Sequence, residues 1–168
     1  MNLLKFHNKI KGYTQNRQPG IEADMEPKPI AELEEYKAAG KLENKVALIT
    51  GGDSGIGRAI AILYAKEGAN VAIGYYDEHQ DAEDTVNRLQ EMGVKAKAYA
   101  HDLKDEKQSQ KLIKDVINDF GSLNILVNNG GVQFPRDHFE DITPQQVKET
   151  FMTNIFGMMF LSQSAVPY

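Results

Sequence analysis

The hydrophobic pattern of this chain changes period at the glycines that follow Thr50. Val46, Ala47, Leu48 and Ile49 form an unbroken apolar run, which suits a strand buried on both faces of a parallel sheet. From there the period becomes helical. Ile56, Ile60 and Leu63 recur along one stripe, leaving Arg58, Lys66 and Glu67 for the outside. Gly51, Gly55 and Gly57, spaced G-x-x-x-G-x-G, therefore sit on a strand-to-helix turn. A side chain at these positions would block a pyrophosphate from backbone N–H groups at the helix N-terminus.

Strand and helix patterns then alternate. Gly68 stops the first helix and Asn70–Gly74 reads as a second strand. A polar helix from about Glu78 to Met92 ends at Gly93, and Lys95–Ala100 makes a third strand. Asp105–Phe120 carries Leu112, Ile113, Val116, Ile117 and Phe120 on one stripe before Gly121, and Asn124–Val127 is a fourth strand. A long helix begins at Thr143 as N-cap, with Pro144 at the first helical position and Gln146 completing a capping box. Through Thr143–Val166 this helix is apolar all round, but Thr153, Asn154, Gly157, Ser162 and Gln163 break it up. That pattern predicts burial rather than a membrane span. Such alternation implies βαβ crossovers, hence an α/β fold with a doubly wound parallel sheet.

The first 44 residues differ. Pro19, Gly20, Pro27 and Pro29 punctuate them, and basic residues give way to Glu22, Asp24 and Glu26. They read as a largely irregular extension on the surface of the domain or on a neighbouring subunit, with one short helix expected over Ala31–Ala39 and no chemistry assigned. Residues 45–168 form the domain itself. Composition narrows the function classes only a little. A net charge of -5 argues against nucleic acid as the main partner. The absence of cysteine excludes disulfide and thiolate chemistry. His7, His79, His101 and His138 show no paired metal spacing and read as surface or loop residues, so no metal site is expected.

Four features in order over residues 45–168 resemble the short-chain dehydrogenase/reductase family. Thr50-Gly51-Gly52-Asp53-Ser54-Gly55-Ile56-Gly57 is similar to its T-G-x-x-x-G-x-G cofactor motif. Asp102-Leu103, after the third strand, matches its adenine-contacting acidic residue. Asn128-Asn129-Gly130-Gly131 resembles its N-N-A-G motif, with Gly130 in place of the alanine. Asn154 falls where the family keeps a catalytic asparagine. The extension is also similar to that of a bacterial subgroup of stress-induced and glucose-dehydrogenase-like members.

The resemblance implies a Rossmann-like sheet of order 3-2-1-4-5-6-7 and hydride transfer between NAD or NADP and a small alcohol or carbonyl substrate. It also implies a cytoplasmic homo-oligomer, a tetramer, with no nucleic-acid or membrane partner. The cofactor-binding residues it indicates are Gly51, Asp53, Ser54, Gly55, Ile56, Gly57, Tyr75, Asp77, Asp102, Leu103, Asn129 and Gly130, with Asn154 catalytic. Asp77 is a candidate to read the ribose 2′-hydroxyl or, equally, a turn residue, and Arg58 a candidate to swing toward a phosphate; neither cofactor is excluded. The family also needs a tyrosine with a lysine four residues on, a pairing that no tyrosine here has. The expectation is an N-terminal half of a dehydrogenase, truncated after the fourth strand and following helix and inactive by itself. The alternative is a non-catalytic dinucleotide-binding fragment or regulatory module.

Overall fold

A computed structural model describes residues 15, 17, 20–33 and 35–168. Its centre is a parallel sheet of four strands in the order β3-β2-β1-β4: β1 (Val46–Thr50), β2 (Asn70–Tyr75), β3 (Ala96–Ala100) and β4 (Ile125–Val127). Leu48 stands opposite Ala72 on one side and Leu126 on the other. The helices are α1 (Gly55–Lys66), α2 (His79–Glu91), α3 (Glu106–Phe120), α4 (Pro144–Phe151) and α5 (Gly157–Ala165). The order agrees with the one the resemblance implies.

Alternation along β1 and β2 divides the core in two. Ile49, Val71 and Ile73 pack with Ala61, Ile62 and Ala65 of α1 and Leu89 of α2. Val46, Leu48 and Ala72 pack with Leu112, Ile113 and Val116 of α3 and Leu161 of α5. All five residues of β1 are buried, as expected of a parallel strand covered on both faces. Asp105 caps α3, accepting from the amides of Lys107 (2.8 Å) and Gln108 (3.2 Å). Thr143 and Gln146 form the expected capping box.

Three local expectations fail. The face of α1 that meets the sheet is Gly57, Ala61, Ile62 and Ala65, while Ile56 is exposed. Gly57, Ala61 and Ala65 let the helix axis approach the strands, and Ile62 fills the space beside them. Glu67 is buried, not outside. Its carboxylate accepts from Tyr36 Oη and from the amides of Ala39 (3.1 Å) and Lys41 (2.8 Å). The described residues of 31–39 hold no helix, and side chains at the end of α1 take their backbone groups: Glu67 accepts from the Ala39 amide, and Lys66 Nζ donates to the Leu33 carbonyl at 2.8 Å. The last helix runs over Pro144–Ala165 as expected, with a π-helical turn, Met152–Phe156, between α4 and α5.

Candidate functional site

The strand order reverses direction between β1 and β4, and ligands of open α/β sheets bind at such a point, beyond the carboxyl ends of the strands. A cleft of about 460 Å³ lies there. Of the residues singled out in the sequence, Gly51, Asp53, Ser54, Gly55, Ile56, Tyr75, Asp102, Leu103, Asn129 and Gly130 line it. Gly57, Asp77 and Asn154 do not, although Asn154 lines an adjoining recess with Asn129 and Val132.

The glycine turn is shaped by close packing. A Cβ at Gly57 would lie 1.8 Å from the Gly51 carbonyl oxygen, so no larger residue fits this contact between loop and helix. Gly55 has a φ of +51°, and the position its Cβ would take is open space. The Ser54 side chain makes no cap hydrogen bond. The amides of Ile56 and Gly57 find no acceptor among the described residues, leaving two donors at the positive end of a helix. Behind the turn, Thr50 Oγ1 accepts from the amides of Asn129 (3.0 Å) and Gly130 (2.9 Å). Asn129 Nδ2 donates to the carbonyls of Thr50 (2.9 Å) and Gly51 (3.2 Å). Asn129 thus ties the β4 loop to the glycine turn. Next to it, Gly130 sits where a Cβ would meet Leu103 Cδ1 at 3.0 Å.

Past β2, Tyr75 Oη shares a hydrogen bond of 2.9 Å with His79 Nδ1. Asp77 turns away from the cleft to Arg17 of the extension, 3.0 Å distant. Glu78 lines the cleft instead and also pairs with Arg17. Burial pushes the Glu78 carboxyl above its ordinary value, against the pull of Arg17. Burial likewise raises Asp53. Asp102 is not the cap of α3, a role that Asp105 fills. Its Oδ1 accepts from the Lys104 amide at 2.9 Å, and it faces the cleft.

Asn154 lies within the π turn, and both ends of its amide are engaged. Oδ1 accepts from the Val132 amide and Nδ2 donates to the Val132 carbonyl, each at 2.8 Å. The side chain therefore fixes the loop after β4 beside the cleft.

Three residues were missed in the sequence. His101 lies in the loop after β3, but it is buried rather than on the surface and forms part of the cleft wall. The carbonyls of Tyr99 and Tyr75 lie close to its ring, yet neither nitrogen reaches hydrogen-bond geometry with a partner among the described residues. Glu78 was passed over in favour of Asp77. Glu22, in the 3-10 turn Glu22–Asp24, touches the glycine turn itself, accepting from the Gly55 amide. No spacing could have revealed that contact across 33 residues. Arg58 does not swing toward the cleft. Its guanidinium is held by Glu22, the Asp53 carbonyl and Thr85 on the far side of the turn.

A parallel sheet with its switch point under a three-glycine turn defines a dinucleotide-binding α/β domain. Residues 45–168 match the family model described as short chain dehydrogenase, and the chain belongs to that family. It is 46% identical over 166 residues to General stress protein 39 of Bacillus subtilis, covering 99% of this chain and 58% of that protein. A short-chain dehydrogenase from Burkholderia cenocepacia, solved in complex with NADP, superposes with a TM-score of 0.73 at 35% identity, covering 76% of this chain and 52% of that one. NAD+-bound xylitol dehydrogenase gives 0.72 at 27% identity, covering 76% and 48%. The chain spans about half the length of the relatives it matches. No helix among the described residues is long and apolar enough to cross a membrane.

Proposed function

We propose that this chain supplies the cofactor-binding half of an NAD(P)-dependent oxidoreductase acting on a small alcohol or carbonyl compound. The observation that carries the reading is the glycine turn. Gly57 packs against the Gly51 carbonyl, Gly55 leaves open space toward the cleft, and the Ile56 and Gly57 amides find no acceptor among the described residues. Diphosphate oxygens are the acceptors that such a cradle suits. Asp102 offers a carboxylate to the exocyclic amine of adenine, and Glu78 or Asp77 one to a ribose hydroxyl. When bound, the nicotinamide gives or takes the hydride.

Residues 45–168 are the binding domain on this reading, and the described residues of 1–44 belong to an extension that contacts it. Asn154 is its share of the catalytic apparatus, holding the loop of Gly131 and Val132 beside the cleft. Phe151, Ile155, Phe156 and Met159 are exposed on the last helices. That apolar face supports a homo-oligomer, a tetramer by family analogy, and the family points to a cytoplasmic location.

Fluorescence titration of the intact protein with NADH and NADPH tests the proposal. Saturable binding is expected, and Gly55→Val, which fills the open space and strains a positive φ, abolishes it. A folded Gly55→Val variant with unchanged affinity overturns the assignment. Hydride transfer is read separately, from nicotinamide absorbance with a panel of alcohols and carbonyls.

A further inference from the structure

The N-terminal extension reaches the glycine turn through the Glu22 side chain. Glu22 Oε2 accepts from the Gly55 amide, and its Oε1 lies 2.6 Å from Arg58 Nη1. Both members of this pair are largely shielded from solvent, with 18% of the Arg58 side chain and 11% of the Glu22 side chain exposed. Arg58 carries the contact further. Its Nε donates to the Asp53 carbonyl at 2.9 Å and to Thr85 Oγ1 at 2.8 Å, and Nη2 donates to the Asp81 carbonyl at 3.2 Å. Thr85 Oγ1 in turn donates to the same Asp53 carbonyl at 3.0 Å. The turn is thus held from the extension, from α1 and from α2 together.

The side of the turn on which this happens decides its meaning. Gly55 and Ile56 line the cleft, whereas Glu22 and Arg58 do not. The space a Gly55 side chain would occupy holds no atom within 4 Å, so Glu22 approaches Gly55 without filling it. Among the first amides of α1, that of Arg58 is satisfied by the Ser54 carbonyl at 3.0 Å, and that of Gly55 by Glu22. Those of Ile56 and Gly57 remain. A capping carboxylate ordinarily sits at the N-cap position itself. Here Ser54 makes no cap bond, and an acid from the extension does the work. Its charge faces Arg58, which also pairs with Asp81 Oδ1 at 3.7 Å, so its repulsion against an incoming phosphate is reduced.

We infer that Glu22 is a positioning residue of the dinucleotide site: by holding the Gly55 amide and Arg58 from behind, it sets the turn for a diphosphate. The inference rests on the dinucleotide-binding reading above. It makes the N-terminal extension part of the cofactor site rather than a surface appendage.

The test compares Glu22→Ala and Glu22→Gln with the unaltered intact protein, using NADH, ADP and adenosine as probes. Adenosine, which carries no phosphate, is followed by competition against NADH fluorescence. Glu22→Ala is expected to weaken NADH and ADP about tenfold or more while moving adenosine by less than about twofold. Glu22→Gln keeps an oxygen for the Gly55 amide but loses the charge facing Arg58, and is expected to fall between. An equal loss for ADP and adenosine overturns the inference, since it would mean general loosening of the domain. Unchanged ADP affinity overturns it as well. Tighter ADP binding also overturns it, because Glu22 would then be a competitor for the site. If the unaltered protein binds neither NADH nor ADP, the dinucleotide reading itself has failed.

Discussion

The imidazole of His101 occupies the space above Gly74: a Cβ built on Gly74 would come within 2.5 Å of Cε1 and 3.0 Å of Nδ1. Gly74 lies opposite Tyr99, two residues before His101, in the pairing of β2 with β3. The ring must therefore leave its place if the glycine gains a side chain, and the cleft is the open direction. Gly74→Ala is expected to destabilise the fold by about 1–3 kcal/mol, an overpacking cost. The double variant Gly74→Ala/His101→Ala should recover part of it. Urea unfolding of Gly74→Ala, His101→Ala and the double variant measures both terms.

The same ring gives the domain a pH dependence. Burial holds the folded-state pKa of His101 below its ordinary 6.5. In the unfolded chain the ring takes up a proton as pH falls past about 6.5, and in the folded chain only at lower pH. The unfolded state binds more protons in that window, so stability is complete above it and declines as pH drops through it. Melting temperatures between about pH 7.5 and 5.5 should fall toward acid, and fall less steeply in His101→Gln.

Thr50 joins β1 to the loop after β4 through one oxygen that accepts two amides. Thr50→Val keeps the shape and removes that oxygen, leaving the amides of Asn129 and Gly130 without their acceptor. A loss of about 1–3 kcal/mol is expected in denaturant unfolding. Thr50→Ser should retain most of the stability.

At the ribose end, the position of Glu78 predicts which carboxylate matters. Glu78 lines the cleft and Asp77 does not. Glu78→Gln should therefore shift the NADPH to NADH affinity ratio upward by about tenfold, and Asp77→Asn should shift it far less. Equal shifts, or a larger one from Asp77, would reject this assignment.

The seat of the extension is sensitive to acid at a different point. Glu67 is held below the ordinary carboxyl value first by its hydrogen bond from Tyr36, then by the Lys41 amide. A depressed carboxyl contributes stability above its unfolded value of 4.5, and that contribution is lost as pH falls below it. Proteolysis within residues 20–44 should accelerate below about pH 4.5 with an acid-active protease, and Glu67→Gln should show the faster cleavage already at neutral pH.

The frame of the molecule was legible because it is written in period. The apolar run of β1, the capping box at Thr143 and the glycine stops each depend on neighbours in sequence, and all appear where expected. The glycine turn was legible for the same reason. Periodicity misled at Ile56, because α1 presents Gly57, Ala61, Ile62 and Ala65 to the sheet and turns Ile56 outward. The contacts of Glu22, Glu67 and His101 join residues far apart in sequence or in adjacent strands, and no local spacing encodes them. Arg58 illustrates the ambiguity. The same guanidinium suits a phosphate or a carboxylate, and only the fold supplies the carboxylate.

The π turn at Met152–Phe156 holds Asn154 against Val132 while α5 returns Leu161 to the core. A π turn fits an additional residue into a helical path. Each residue of α-helix advances the side chains by about 100° around the axis. A deletion of one residue here would let the helix run straight and rotate one of its halves by that angle against the other. Either Leu161 would keep its place under the sheet or Asn154 would keep Val132. In this segment length is as constrained as composition, and descendants of the sequence can exchange residues within the turn more freely than they can lose one.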